Sequence, residues 1–346
     1  MSQPAAVIVL AAGQGTRMRS ALPKVVHPIV GVSMIGHALR AAQGLNPDHL
    51  VTVVRHQRDL VAQEILRNSP ESLIADQDEI PGTGRAVQCG LATLENEIGH
   101  VSGTIVVTYG DVPMLSTQTL QMLLDQHHAE GNAVTVLTSV VDDPTGYGRI
   151  IRDAHGSVIA IVEDRDTTPQ QKAITEVNAG IYAFDAEFLT ETLSGLGTDN
   201  DQGEVYLTDV LAAAAPAGRR AGAVVLTDPW QAQGCNDRVQ LAQLGAEFNA
   251  RICQEHMKAG VTIVDPSSTW IDVDVTIGAD TTIWPGTTIR RGSVIGTGCE
   301  IGPAATIVSA QIGDNATIPT AWVENVAVTA DTMVQPLSFL GRRDVD

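Results

Sequence analysis

The C-terminal third of the chain carries an isoleucine at every sixth position. The strict interval runs through Ile277, Ile283, Ile289, Ile295, Ile301 and Ile307. Ile312 and Ile318 continue it after a one-residue slip, and glycines punctuate the same stretch. Neither an α-helix nor a hairpin has a period of six, whereas a parallel β-helix stacks one aliphatic side chain per hexapeptide inside its coils. Residues 261–320 are therefore predicted to form a short β-helix.

The sequence on either side of this repeat has a different pattern. Residues 236–260 are predicted to form one helix that connects two domains, with Asn236 as its N-cap and Gly260 after its last basic residue. Beyond Pro319 the six-residue period is not recognisable. Residues 321–346 are therefore expected to be a cap or a tail, and the repeat is expected to end there naturally.

Residues 1–235 alternate between short β-branched runs and helical patterns. The predicted strands are 7–10, 50–54, 104–108, 133–140 and 179–184. Helical patterns follow Ser33 and Ser116, both good N-cap residues, and Gly131 ends the second pattern. This alternation is typical of an α/β domain, so the region is predicted to be Rossmann-like with a mainly parallel sheet.

Composition excludes several classes of protein. The net charge is −19 and aromatic residues make up only 3% of the chain, which argues against nucleic-acid binding by basic patches and stacking platforms. The apolar run 5–12 is far shorter than the roughly 20 residues of a membrane span. It also lacks the flanking features of a signal peptide, so a cytoplasmic protein is expected. The four cysteines are widely spaced and include no CxxC pair, so they are expected to be buried thiols.

The first predicted strand runs into a glycine-rich turn that is followed by cations. Gly13 and Gly15 let backbone N–H groups approach an anion, and Arg17 and Lys24 follow in a stretch without acidic residues. The turn lacks the GK[ST] of a Walker A loop, and Met18 stands where a dinucleotide fingerprint has its third glycine. We predict a phosphate site; the alternative is a chance cluster of cations on a solvated face.

Asp111 follows the predicted strand 104–108. Open α/β sheets bind ligands at the carboxyl ends of their strands, and a single carboxylate there suits Mg²⁺, which substrate phosphates also ligate. The alternative is a turn residue before Pro113. Other polar or glycine residues lie in predicted loops, and each alone is better explained as a turn or cap residue: Gln77, Gly82, Thr83, Gly148, Glu163 and Asn178.

Together these motifs resemble a known family. Segments 10–18, 23–25, 81–84, 109–113, 146–150, 176–184, 203–210 and 234–241 occur in the order found in the bifunctional bacterial N-acetylglucosamine-1-phosphate uridyltransferases and glucosamine-1-phosphate acetyltransferases. The resemblance runs from about residue 5 to about residue 318. Thymidylyl and adenylyl sugar-nucleotide enzymes share the GxGTR loop but place the following lysine later than the Arg17-to-Lys24 spacing seen here.

The resemblance implies a sugar nucleotidyltransferase fold, a left-handed β-helix and Mg²⁺ as cofactor. β-Helices of this family form trimers, and a β-helix of about three coils either forms the same homotrimer or is too short to do so. It also implies a role for individual residues. Arg17 and Lys24 would hold the phosphates, and Asp111 and Asn236 would bind Mg²⁺. The nucleotide would be bound by Leu10, Ala11, Ala12, Gly13, Gly15, Thr16, Gln77, Gly82 and Thr83, of which Gln77, Gly82 and Thr83 would bind the uracil. The sugar would be bound by Tyr109, Gly110, Gly148, Glu163 and Asn178.

Two departures from the family pattern affect the expected activity. Arg85 stands where the family usually has histidine, which adds a cation near the uracil-binding loop. The last histidine is His256, so the general base of acetyl transfer is missing. We therefore expect formation of UDP-N-acetylglucosamine without acetyl transfer. The alternatives are another hexose 1-phosphate or nucleotide, a non-catalytic scaffold with a degenerate transferase domain, and a piece of a longer bifunctional chain.

Overall fold

The computed structural model describes residues 3–197 and 203–342. The chain divides into two compact units. The first contains the chain up to residue 27 and residues 33–238; the second contains residues 28–32 and the chain from residue 239. Residues 28–32 thus lie within the range 1–235 that was predicted to be one domain, and nothing in the sequence pattern indicated their grouping with the second unit.

Short β-branched strands and amphipathic helices alternate in the first 235 residues. The strands are β1 (Ala6–Leu10), β2 (Pro28–Ile29), β3 (Val32–Ser33), β4 (His49–Val54), β5 (Leu73–Asp76), β6 (Thr104–Tyr109), β7 (Val134–Val140), β8 (Arg149–Arg152), β9 (Val158–Val162), β10 (Glu176–Asp185) and β11 (Ala221–Val225). The helices are α1 (Met34–Gln43), α2 (Arg58–Asn68), α3 (Thr83–Ile98), α4 (Thr117–Glu130), α5 (Ala186–Gly195) and α6 (Thr208–Ala212).

One sheet organises the first unit, and within the described residues it has nine strands. Its order is β11-β7-β10-β6-β1-β4-β5, with β8 paired to β10 and β9 to β8. The pairs of β1 with β4 and β6, of β4 with β5, and of β11 with β7 are parallel, whereas β10 runs antiparallel to its neighbours. The predicted mainly parallel α/β sheet is confirmed.

Both faces of this sheet are covered by apolar side chains. All five residues of β1 are buried, with Ala6, Ile8 and Leu10 in one core cluster. Val7 and Val9 lie in the other cluster. Alternate side chains of a strand point to opposite faces, so a continuous aliphatic run is what a central strand between two helical layers requires.

Side-chain caps fix where two helices begin. The Ser33 hydroxyl accepts a hydrogen bond from Gly36 N at 3.1 Å, and the Ser116 hydroxyl accepts one from Thr119 N at 3.2 Å. Each bond satisfies a backbone donor that the first helical turn leaves free. Gly131 ends α4 with φ 62°. These boundaries match the sequence-based predictions.

Helix α7 (Arg238–Lys258) begins the larger part of the second unit. It starts two residues later than predicted, so Asp237 and not Asn236 stands directly before it. Asn236 was predicted to be an N-cap because short polar residues before an apolar stripe usually cap helices. Its side chain instead takes part in the cluster described below.

Three parallel sheets follow α7. Their strands are β12 (Thr262–Ile263), β13 (Trp270–Ile271), β14 (Thr276–Ile277), β15 (Thr282–Ile283), β16 (Thr288–Arg290), β17 (Val294–Ile295), β18 (Glu300–Ile301), β19 (Thr306–Val308), β20 (Gln311–Ile312), β21 (Thr317–Ile318), β22 (Trp322–Glu324), β23 (Ala327–Val328) and β24 (Phe339–Gly341). The sheet orders are β12-β15-β18-β21, β13-β16-β19-β22-β24 and β14-β17-β20-β23. From β12 to β23 every third strand joins the same sheet, which is the arrangement of a β-helix, and β24 then pairs with β22.

The isoleucines of the repeat lie directly above one another. Ile283 pairs with Ile301, and Ile289 pairs with Ile307. All four side chains are completely buried. The six-residue period therefore predicted both the architecture and its core.

The prediction of a cap or tail from residue 321 is wrong for the described part of that segment, 321–342. Strands β22, β23 and β24 continue the parallel sheets. Buried Val323, Val328 and Val334 follow Ile318 in the same stack. The pattern escaped recognition because valine replaces isoleucine and two of the steps are five residues long. Residues 343–346 lie outside the described residues.

The hairpin of β2 and β3 contributes residues 28–32 to the second unit. Val30 O accepts a hydrogen bond from Val273 N at 2.9 Å. Gly31 has φ +90°, and a Cβ built there would lie 2.6 Å from Asp272 Cγ. Glycine is therefore required at this contact.

Two further sequence-based expectations can be compared with the described residues. Cys235, Cys253 and Cys299 are buried free thiols, and Cys89 is half-buried. Among the helices of the described ranges, none is both long enough and apolar enough to cross a membrane.

Candidate active site

A cavity of about 350 Å³ opens at the carboxyl ends of β1, β4 and β6 in the first unit. It is lined by Leu10, Ala11, Ala12, Gly13, Gln14, Lys24, Val25, Arg55, His56, Gln77, Pro81, Gly82, Thr83, Ala86, Tyr109, Asp111 and Glu204. Parallel strands end at the same edge of a sheet, so loops that are distant in sequence meet there. The cavity brings together most of the predicted nucleotide-binding residues.

Lys24, Asp111 and Asn236 form a polar cluster at this edge. The Lys24 ammonium donates a hydrogen bond to Asp111 Oδ2 and another, at 3.2 Å, to Asn236 Oδ1. The Lys24 side chain is 12% exposed and the Asp111 side chain 19% exposed. The Cys235 N–H donates to Asp111 O at 3.0 Å, which holds the segment carrying Asn236 against the turn after β6.

Gly15 makes room for Lys24. Its φ is +64°, and a built Cβ would lie 2.5 Å from Lys24 Cβ and 3.4 Å from Lys24 Cγ. No L-residue fits there without displacing the lysine stem. The second glycine of the predicted phosphate loop therefore positions Lys24, which the sequence analysis did not anticipate.

The cluster fits a divalent metal such as Mg²⁺. Asp111 offers a carboxylate and Asn236 an amide oxygen, which are hard oxygen ligands, and both already face one cation, the Lys24 ammonium. Within the described residues no group of three or more His, Cys, Asp and Glu side chains could hold a metal. Two protein oxygens suit Mg²⁺, which usually takes its other ligands from water and substrate phosphates.

The predicted uracil-binding residues form a tightly packed loop. Gln77 Nε2 donates to Ile80 O at 3.0 Å and to Gly82 O at 3.2 Å. A Cβ built on Gly82 would lie 2.3 Å from Val205 O. Gly84 N donates to the same carbonyl at 2.8 Å. These contacts fix the backbone that lines one side of the cavity.

Three predicted sugar-binding residues are neighbours. A Cβ built on Gly148 would lie 3.6 Å from both Glu163 Oε1 and Asn178 Cβ. Burial raises the pKa of Glu163, which accepts a hydrogen bond from Thr208 Oγ1 at 3.4 Å. None of the three lines the main cavity; Asn178 lines a separate cavity of about 160 Å³.

Tyr109 lies within range of the charges of both Glu163 and Asp111. Burial, and then the charges of Asp111 and Glu163, raise the pKa of its hydroxyl, so the hydroxyl stays protonated at neutral pH. The neighbouring Gly110 is closely packed, because a Cβ there would lie 2.6 Å from Ile35 Cδ1. Tyr109 lines the main cavity, whereas Gly110 does not.

Arg17 is not brought to the cavity. It is exposed on a short 3₁₀ helix, Thr16–Met18, and neither Arg17, Gly15 nor Thr16 is among the lining residues. Its contact with substrate phosphates remains a prediction.

Arg55 and His56 line the cavity, and the sequence analysis missed them. They directly follow β4, just as Asp111 follows β6 by two residues. Open α/β sheets bind ligands at the carboxyl ends of their strands, and this rule, which predicted a role for Asp111, applies equally to Arg55 and His56. Arg55 also donates from Nη2 to Glu79 O at 3.3 Å.

Comparison with known proteins shows the family of the chain. The nucleotidyl transferase family matches residues 6–273, and the bacterial transferase hexapeptide repeat family matches residues 274–308. The bifunctional protein GlmU of Kineococcus radiotolerans is 52% identical over 337 residues, which cover 97% of this chain and 68% of that protein. The GlmU protein of Paenarthrobacter aurescens is 50% identical with the same coverage, and that of Bifidobacterium longum is 45% identical over 97% of this chain and 72% of its own.

The chain belongs to the GlmU family. This confirms the family named in the sequence analysis, the bifunctional N-acetylglucosamine-1-phosphate uridyltransferases, and the chain is a nucleotidyltransferase enzyme. Nucleotidyltransferases of the GlmU family generally use a divalent metal, for which Asp111 and Asn236 are suitable ligands.

Arg85, which the resemblance marks as a departure from the family pattern, lies in the first unit. Its guanidinium is paired with the Asp78 carboxylate, with Nε at 3.2 Å from Oδ1 and 3.1 Å from Oδ2. Nη1 donates to Gln88 Oε1 at 2.9 Å. The hydrogen bond from Arg85 lowers the pKa of Asp78. The added cation is thus neutralised locally, and Arg85 does not line the cavity.

Proposed function

We propose that the enzyme transfers a uridylyl group from UTP to N-acetylglucosamine 1-phosphate, forming UDP-N-acetylglucosamine and pyrophosphate. The observation that carries the proposal is the meeting of Lys24, Asp111 and Asn236 at the edge of a cavity whose wall includes Leu10–Gly13. A cation, a metal-binding pair and a glycine-rich turn are what binding a nucleoside triphosphate requires.

The reaction needs no nucleophilic side chain. An oxygen of the sugar phosphate attacks the α-phosphorus of UTP in line. The bond between the α-phosphorus and the oxygen that bridges it to the β-phosphorus breaks, and its electron pair stays on that oxygen in the departing pyrophosphate. The second pKa of a phosphate monoester is about 6, so the attacking oxygen is already anionic at neutral pH. Catalysis therefore depends on alignment and charge neutralisation.

The residues of the cluster have separate roles in this proposal. Lys24 and Arg17 neutralise the phosphates of UTP. Asp111 and Asn236 would hold Mg²⁺, which would supply further positive charge to the phosphates. Gln77, Gly82 and Thr83 bind the uracil through the fixed backbone of their loop. Glu163, Asn178 and Gly148 bind the sugar, and the protonated Tyr109 hydroxyl donates to an oxygen acceptor of the substrate.

We also propose that the chain does not transfer acetyl groups. Deprotonation of the attacking amine needs a general base, for which histidine is the usual residue. The sequence after His256 contains no histidine. The β-helix is then a structural and assembly element. The hexapeptide repeats support oligomerisation, and we propose that the oligomer is a homotrimer.

A panel of pyrophosphate-release assays tests the proposal. UTP, dTTP and ATP are each combined with N-acetylglucosamine 1-phosphate, glucosamine 1-phosphate and glucose 1-phosphate in the presence of Mg²⁺. We expect the highest kcat/KM for UTP with N-acetylglucosamine 1-phosphate. A preference for another pair would refute the substrate assignment. Thiol release from acetyl-CoA with glucosamine 1-phosphate would refute the claim about acetyl transfer.

A further inference from the structure

The Lys24 ammonium occupies the position that the proposed function assigns to a metal. It bonds to Asp111 Oδ2 and to Asn236 Oδ1, oxygens of the two side chains that would ligate Mg²⁺. At 12% exposure the lysine side chain is largely withdrawn from solvent. Its stem passes Gly15, where a built Cβ would lie 3.5 Å or less from Cβ, Cγ and Cδ of Lys24. The packed aliphatic part of Lys24 thus holds its ammonium against these two oxygens.

Mg²⁺ held by Asp111 and Asn236 would lie within a few ångströms of the Lys24 ammonium, and two cations at that separation repel each other strongly. Mg²⁺ requires ligand distances of about 2.0–2.1 Å in a near-octahedral shell, so an ammonium bonded to the same two oxygens must move away. Lys24 is also one of the residues that line the nucleotide cavity. The same side chain can therefore face the metal ligands or the phosphates of a bound nucleotide.

We propose that Lys24 is a resident cation of the Asp111–Asn236 site, that entry of the divalent metal displaces it, and that the displaced ammonium then binds the substrate phosphates. This inference rests on the proposed function for the identity of the phosphate ligand. Because binding couplings are reciprocal, phosphates that draw Lys24 away strengthen metal binding, and the metal strengthens phosphate binding by Lys24 to the same degree. Without nucleotide, the free energy needed to displace Lys24 reduces the free energy of metal binding, so the metal binds weakly.

Lysine labelling tests the displacement directly, because the chain has only three lysines, Lys24, Lys172 and Lys258. The full chain is treated briefly with limiting acetic anhydride, with and without Mg²⁺ and without nucleotide, and acetylation of each lysine is measured by mass spectrometry. Without Mg²⁺, Lys24 reacts more slowly than exposed Lys172. Saturating Mg²⁺ raises the Lys24 rate about tenfold, as loss of a charge-assisted hydrogen bond would, and leaves the other two unchanged.

Asp111→Asn is the matched control for labelling. This variant removes the ion pair, so Lys24 reacts fast without Mg²⁺ and shows no further response to it. Circular dichroism and the unchanged rates of Lys172 and Lys258 establish that the variant is folded. The proposal is overturned if Lys24 of the wild type reacts as fast as Lys172 without metal, or stays protected throughout a Mg²⁺ titration.

Metal binding to variants gives a second, independent readout. Mn²⁺ binding without nucleotide is measured by electron paramagnetic resonance for the wild type, Lys24→Met and Arg17→Met. Lys24→Met binds Mn²⁺ about tenfold more tightly than the wild type, whereas Arg17→Met, which removes an equal charge from the same loop, changes the affinity less than about twofold. Equal affinities for all three proteins would overturn the proposal. Neither readout uses turnover, so a failure of the substrate assignment is recognised separately in the pyrophosphate assays.

Discussion

Replacing Gly82 by alanine tests the geometry of the nucleotide cavity most sharply. Gly82 precedes α3 with φ 119° and ψ 151°, a region that glycine alone occupies readily. Gly99 ends the same helix with φ 80° and ψ −132°, which is also a glycine conformation. The two glycines differ in their surroundings: a Cβ on Gly82 would lie 2.3 Å from Val205 O, whereas a Cβ on Gly99 meets nothing within 4 Å.

The structure separates two costs of these substitutions. Backbone strain destabilises both variants by about 1–3 kcal/mol. Gly82→Ala also forces the loop and Val205 apart by roughly 1 Å, since carbon–oxygen contacts are normally about 3.3–3.6 Å. That movement disturbs the hydrogen bond from Gln77 Nε2 to Gly82 O. A misplacement of about 1 Å in a binding site costs tenfold or more, so we expect KM for UTP to rise at least about tenfold.

Two measurements decide the outcome. Urea denaturation gives the free energy of unfolding, and pyrophosphate release at varied UTP gives KM and kcat. We expect both variants to lose stability and only Gly82→Ala to bind UTP poorly. A similar KM for UTP in Gly82→Ala, Gly99→Ala and the wild type would show that this loop does not form the nucleotide site.

Four further predictions follow from single residues. Arg85→Ala removes an exposed ion pair with Asp78, so the free energy of unfolding should fall by less than about 1 kcal/mol and KM for UTP should change little; a large rise in KM would mean that Arg85 contacts the nucleotide. Arg17→Ala should lower kcat at least about tenfold. Its side chain is exposed, so the free energy of unfolding measured with urea should fall by less than about 0.5 kcal/mol. A normal kcat would exclude a role of Arg17 at the phosphates. Burial lowers the pKa of His127 from 6.5 to about 4. The unfolded state therefore takes up the proton first, and the free energy of unfolding falls by about 3 kcal/mol as pH drops from 6.5 towards 4. His127→Gln should flatten that part of the stability–pH profile, and an unchanged profile would contradict the lowered pKa of His127. Val323→Ala should cost about 2 kcal/mol in the thermal unfolding of the full chain, whereas a tail residue would cost nothing.

Much of the fold could be predicted because the buried residues of its core recur at regular intervals in the sequence. The isoleucines of the repeat recur at the length of one face of a β-helix coil, and β1 is an uninterrupted aliphatic run. Both patterns are local consequences of burial, so a single sequence reveals them. The continuation through Val323 and Val328 was missed because its five-residue steps and smaller side chains no longer match the strict period.

The site could be predicted only in part, because its contacts are long-range. Lys24 and Asn236 are 212 residues apart in sequence, and only the order of the strands brings them together. Asn236 also illustrates a limit of local reasoning, since the same residue type before a helix suits an N-cap and a ligand equally well. The Arg85–Asp78 pair was missed for another reason: a charge in sequence does not reveal which partner neutralises it.

Mass-spectrometric identification of the product tests the central claim most directly. The wild type and Asp111→Asn are incubated with UTP, N-acetylglucosamine 1-phosphate and Mg²⁺, and the nucleotide products are quantified over time. The account predicts UDP-N-acetylglucosamine from the wild type in amounts equal to the pyrophosphate released, and at least about a hundredfold slower formation by Asp111→Asn. No such product from the wild type, or an equal rate from Asp111→Asn, would contradict it.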